Sequence, residues 1–202
     1  MIEPILLSAV CIHTFVGQTS LTNASGFFFE RDARLFLVTS RHVLRDEPSS
    51  HTPDRIEIEL HVDENNAAAS TGFSIPLFSG ETRLWKEGSD RGGAVDVAVI
   101  EIDRTALPVH ASYRAFTPAH LPLAEETVEL GSAVLVIGFP LGFHDTLHHM
   151  PVARQAIVAS SFGLRFGGEG YFLTDARTHR GTSGAPIVMR REGRVGATSD
   201  MP

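Results

Sequence analysis

Short runs rich in Val, Ile, Phe and Thr recur along this 202-residue chain, divided by clusters of Gly, Asn, Asp and Pro, and no long stretch repeats its apolar residues at helical spacing. Residues of that kind in runs of that length suit a pleated, half-buried surface, so the pattern predicts an all-β fold. Candidate strands cover 5–15, 25–30, 35–40, 55–62, 73–77, 97–101, 133–138, 152–159, 171–174, 185–189 and 194–198, with a short helical turn at 42–45. In the fourth of these, Glu57, Glu59 and His61 alternate with Ile56, Ile58, Leu60 and Val62, the period of a strand with one wet face. The apolar run from Val97 to Ile102 reads instead as a buried strand, and the polar stretch 63–71 as a hairpin tip. Between Asp103 and Glu129 the runs break at Pro108, Pro118 and Pro122 and around Glu125 and Glu126, where one half of the chain should hand over to the other. A chain of this length can bury one core or two small barrels packed together, but hardly two independent domains.

One loop carries chemistry. In Gly181-Thr182-Ser183-Gly184-Ala185-Pro186 a serine has glycine on its C-terminal side and another two residues ahead, the arrangement a nucleophile in a cradle of backbone N–H groups requires. A serine hydroxyl is a poor nucleophile near neutral pH and needs a base, which in turn needs a group to orient it. His42, at the end of the run Leu37-Val38-Thr39-Ser40-Arg41-His42, and Asp96, opening Asp96-Val97-Ala98-Val99-Ile100, supply residues of those types in the order His, Asp, Ser.

With Ser25-Gly26-Phe27-Phe28-Phe29, with Glu129 to Gly142 and with Leu173-Thr174-Asp175-Ala176 ahead of the serine loop, these segments resemble trypsin-like (chymotrypsin-fold) serine peptidases, nearer the bacterial heat-shock type than the secreted digestive type. The resemblance implies two six-stranded antiparallel β-barrels: residues 1–110 carrying His42 and Asp96, a linker at 111–128, and residues 129–202 carrying Ser183. It implies Ser183 as nucleophile, His42 as general base and acid, and Asp96 as the acceptor that fixes the imidazole tautomer. The oxyanion would be held by the backbone of Gly181, Thr182 and Ser183, and Asp175 would be structural. Arg177 stands where the family places the floor of its primary specificity pocket; facing inward it favours an acidic substrate side chain, facing outward it snorkels, and the residues leave both open. Ala197, Thr198 and Ser199 resemble the segment that hydrogen-bonds the substrate backbone. Digestive relatives have aspartate just before the nucleophile, and Thr182 there means that activation by N-terminal cleavage is not implied. Relatives continue past that segment through a further strand and usually a helix, so the resemblance implies a chain that is truncated, or whose missing strand a partner supplies. An extension of about 20 to 40 residues would suffice.

Composition narrows the partners. A net charge of −7 without a basic patch argues against a sequence-independent nucleic-acid binder. No run approaches the roughly 18 apolar residues of a membrane span. Cys11 is the single cysteine, which excludes an internal disulfide framework and suits a reducing compartment, so a cytoplasmic location is expected; Met1-Ile2-Glu3-Pro4 lacks the positive start of a secretory signal. His144, Asp145, His148 and His149 match no closed zinc spacing, and neither a metal nor an organic cofactor is expected. The expected partner is a peptide or protein substrate, with room for a regulatory chain or a further domain. Two rivals stand beside the peptidase: a catalytically silent relative that binds peptide by strand addition, and a module active only when a partner orders its loops.

Overall fold

The computed structural model describes residues 2–123 and 126–190. A 3₁₀ turn at Pro4–Ser8 leads into β1 (Ala9–Val16), which folds back at Gly17 into the long β2 (Thr19–Arg31); β3 (Arg34–Thr39) follows, then the single helical turn α1 (Arg41–Leu44). The chain continues through β4 (Arg55–His61), β5 (Ser70–Pro76), the short hairpin β6 (Phe78–Ser79) and β7 (Thr82–Arg83), β8 (Trp85–Asp90) and β9 (Gly93–Ile102). Among the described residues the strands of the second half are β10 (Ala133–Gly138), β11 (Val152–Ile157) and β12 (Ile187–Val188). The fold is all-β and chymotrypsin-like. Among the described residues its strands fall into a seven-stranded antiparallel sheet, in the order β5-β4-β1-β2-β3-β9-β8, a three-stranded sheet, β11-β10-β12, and the two-stranded β6-β7 hairpin, rather than two sets of six. Among the described residues neither sheet closes edge to edge. The expected strand 194–198 lies outside the described residues.

The main core is the inner face of the larger sheet. Ile56, Ile58 and Leu60 of β4 point inward beside Ile12, Leu37, Ala98 and Ile100, all nearly inaccessible to water. Val97 to Ile102 alternates instead of being buried throughout: Ala98, Ile100 and Ile102 face the core while Val97 and Glu101 face outward. Glu101 is held there by a bidentate pair with Arg34 across the β3–β9 ladder. A second departure is His61, which the period places on the wet face and the structure buries; its Nε2–H donates to the carbonyl of His148 at 2.6 Å, so β4 docks onto the second half of the chain. Strand β8 was not legible as a strand, because Lys86 to Asp90 is polar and only Trp85 packs inward. Of the expected strand 171–174, Thr174 alone pairs, as a bridge to Val158.

The two halves meet through backbone and side chain. Phe116, in the segment expected as linker, donates its N–H to Phe28 and accepts from Glu30, extending the β2 edge. Arg165 reaches from the second half to Asp90 and the Ala94 carbonyl at the β8–β9 hairpin. Strand β2 runs beneath the serine loop, and Gly184 there has no room for a side chain: a Cβ would stand 2.2 Å from both the Ser25 carbonyl and Thr39 Oγ1.

Candidate active site

Antiparallel pairing brings His42 and Asp96 together. Thr39 of β3 is opposite Ala98 of β9, so the residues just beyond Thr39 and just before Ala98 lie side by side at one end of the sheet. The α1 turn then aims the His42 ring, and Asp96 grips it twice: the His42 backbone N–H donates to Oδ1 at 3.0 Å and the ring Nδ1–H to Oδ2 at 2.6 Å. The opposite ring nitrogen, Nε2, is 2.9 Å from Ser183 Oγ, where it can accept the hydroxyl proton. The structure thus brings together the three side chains the sequence singled out.

The electrostatics follow from that contact. The hydrogen bond to Asp96 raises the His42 pKa above the ordinary histidine value of 6.5; burial works against it, and the Asp96 charge adds to it. Burial of Asp96 works to raise its own pKa, but the hydrogen bonds from the His42 ring and backbone outweigh it and hold the carboxyl below 3.8. Both side chains are nearly half exposed, at 43% and 49%, so solvent screens the pair and its worth to stability is small.

The backbone ahead of Ser183 is a tight turn. Thr182 donates its N–H to the His179 carbonyl at 3.1 Å, and Gly181, at the third position, has φ +89°. A positive φ there is the mark of a type II turn. In that turn the central peptide is flipped relative to type I, which sends the Arg180 carbonyl one way and the Gly181 N–H the other. The Arg180 carbonyl accepts from Leu141 N–H at 2.5 Å, and the Thr182 carbonyl from Ala185 N–H at 2.9 Å. Among the described residues the N–H groups of Gly181 and Ser183 have no acceptor, so two backbone donors, one on either side of Thr182, stand unengaged. Gly181 is sterically obligatory, since a Cβ would lie 2.3 Å from the Phe139 carbonyl. The Thr182 hydroxyl is buried without a partner among the described residues, which the sequence did not foretell.

Other candidates sit apart. Asp175 exchanges hydrogen bonds with Ile157, accepting its N–H on Oδ1 at 2.7 Å, a role in holding the loop against β11. Arg177 is exposed, and its carbonyl accepts from Arg154 at 2.5 Å. Ala197, Thr198 and Ser199 lie outside the described residues. His148 pairs with Asp145 at 2.6 Å and His144 Nδ1–H donates to the Gly142 carbonyl. Among the described residues no three His, Cys, Asp or Glu side chains are arranged to hold a metal ion. A cavity of about 220 Å³, whose lining includes none of His42, Asp96 and Ser183, is lined by Cys11, His13, Glu57, Glu59, His144 and His149. Burial pushes the Cys11 thiol to about 12, so it stays a neutral thiol.

Residues 24–197 match the trypsin-like peptidase domain family. Among solved structures the chain is similar to a serine endoprotease from Yersinia pestis, with 20% identity and a TM-score of 0.53, over 92% of this chain and 51% of that one. It is also similar to an inactivated protease paralogue of the scabies mite, with 23% identity and a TM-score of 0.56, over 92% of this chain and 79% of that one. The chain therefore spans about half the length of the Yersinia pestis endoprotease. No curated protein matches its sequence.

Proposed function

This chain belongs to the trypsin-like peptidase family, and from that premise we propose that it is a serine peptidase that cleaves internal peptide bonds through an acyl-enzyme on Ser183. The observation that carries the proposal is the continuous chain of contacts from Asp96 through the His42 ring to Ser183 Oγ, at 2.6 and 2.9 Å. In the proposed reaction Ser183 Oγ attacks the scissile carbonyl carbon as its proton passes to His42 Nε2. The carbonyl oxygen takes the negative charge and is held by the N–H groups of Gly181 and Ser183. Collapse expels the amine, which leaves with the proton from His42; water then repeats the sequence and frees the acid. Asp96 stays ionised throughout and favours the imidazolium, in keeping with the raised His42 pKa. None of these steps calls on a metal ion. The substrate on this reading is a peptide or protein chain.

The test is hydrolysis of an internally quenched peptide library by the chain and by Ser183→Ala, with both variants checked for folding by thermal unfolding. Cleavage by the parent and none by the alanine variant is the expected result. Equal cleavage by both would remove Ser183 as nucleophile.

A further inference from the structure

Ser25 is fully buried on β2, and the proposed reaction makes no use of its side chain, yet each of its polar groups is engaged. Its Oγ–H donates to the Gly181 carbonyl at 2.7 Å and its Oγ accepts the Phe139 N–H at 3.0 Å. Its backbone N–H donates to the Ser183 carbonyl at 2.8 Å, and its own carbonyl accepts from Thr39 Oγ1 at 2.8 Å. One residue therefore touches the serine loop twice, the strand that leads to His42, and the end of β10. Gly138 leaves the room: a Cβ there would come within 2.6 Å of Ser25 Oγ. Burying a hydroxyl carries a desolvation cost that only good hydrogen bonds offset, and an alanine would fill the same strand position without it. The hydroxyl thus needs a reason beyond packing.

Its position supplies one. The two oxyanion donors, Gly181 N–H and Ser183 N–H, flank the Gly181–Thr182 peptide, so any rotation of that peptide changes the angle between them. The peptide is fixed at its N–H by His179 and at its carbonyl by Ser25. Through the Phe139 N–H the same hydroxyl holds the turn whose Leu141 N–H restrains the Arg180 carbonyl. We propose that Ser25 is a positioning residue for the oxyanion cradle, its hydroxyl locking the Gly181–Thr182 peptide against the Phe139 turn so that both donors stay aimed at one point. The proposal rests on the acyl-transfer reading of Ser183.

The test is Ser25→Ala. A misaimed donor acts in the transition state and not in substrate binding, so kcat should fall about 10- to 100-fold while KM stays within about threefold. Affinity for a peptide boronate, whose hydroxyl occupies the oxyanion position, should weaken by the same factor as kcat. The acid limb of the pH profile should not move, because the His42–Asp96 contact is untouched. A kcat within twofold of the parent, or a loss confined to KM, overturns the proposal. If Ser25→Ala does not fold, Ser25→Cys replaces it, keeping the shape with a weak donor; a fallen kcat at constant KM supports the proposal and unchanged kinetics overturn it. Amide hydrogen exchange gives a readout independent of turnover: the variant should exchange the Phe139 and Thr182 N–H groups at least about tenfold faster than the parent, as expected when a restraining hydrogen bond is lost. Unchanged exchange refutes the link even in a chain that cleaves nothing, whereas absence of turnover in the parent counts against the acyl-transfer reading alone.

Discussion

Gly181→Ala isolates the oxyanion cradle from the rest of the site. The alanine meets two obstacles: φ at this position is +89°, and its Cβ would sit 2.3 Å from the Phe139 carbonyl and 3.1 Å from Leu141 N. An L side chain in the left-handed region costs about 1–2 kcal/mol. The clash is with backbone, so the turn must retreat by several tenths of an ångström, or the Arg180–Gly181 peptide must flip and present its carbonyl where the N–H now points. Either way one of the two donors that the proposed reaction assigns to the oxyanion is lost, which is worth roughly 3–4 kcal/mol of transition-state binding, or about 10²- to 10³-fold in kcat. Gly80→Ala is the control. It shares the positive φ, at +59°, but nothing lies within 4 Å of its Cβ, so it should lose a little stability and no activity. The assay is kcat and KM on the best peptide from the quenched library, with melting temperatures for both variants. A Gly181→Ala enzyme within about threefold of the parent in kcat, folded as well as the Gly80→Ala control, would mean that the Gly181 N–H does not hold the oxyanion.

Three further outcomes are expected. Activity should fall as pH drops through a midpoint above the ordinary histidine value of about 6.5, because the His42 pKa is raised and only the neutral ring can act as base; Asp96→Asn should move that midpoint down and cost about 10³- to 10⁴-fold in kcat, read from pH–rate profiles. The linked stability runs in two windows: the contribution from the raised His42 pKa is full below about pH 6.5 and is lost as pH rises through the folded value, whereas that from the depressed Asp96 pKa is present above about pH 3.8 and is lost on acidification, both screened by solvent and visible only as small shifts in thermal unfolding with pH. Thr182→Val removes a buried hydroxyl that has no partner among the described residues, so the melting temperature should hold or rise, and a loss of more than about 1 kcal/mol in denaturant unfolding would mean the hydroxyl has a partner.

What the sequence made legible is what its local patterns control. The His42 turn, the Asp96 strand and the glycine-flanked serine each announce themselves within a few neighbours, because a strand end, an ionisable side chain and a positive-φ turn are local requirements. Strand alternation in β4 was likewise readable as far as Leu60. It failed at His61, whose burial depends on the His148 carbonyl, 87 residues away. Ser25 was visible as part of a motif, but its work was not, since its hydroxyl partner Gly181 is 156 residues distant. Polar β8 shows the complementary failure: the strand is held by pairing with β9 and by the inward packing of Trp85, and carries little hydrophobic signal of its own. The run Val97 to Ile102 reads as a buried strand because apolar composition alone does not reveal that one of its faces meets solvent.

Whether Ser183 is a nucleophile activated by His42 is read most directly from chemical modification of the intact chain by a fluorophosphonate, with the adduct located by peptide mass spectrometry and its rate followed across pH. A single adduct is expected on Ser183, formed at a rate that falls on acidification with the His42 titration and is lost in His42→Ala. An adduct elsewhere, or one on Ser183 that forms as fast without His42, would contradict that role.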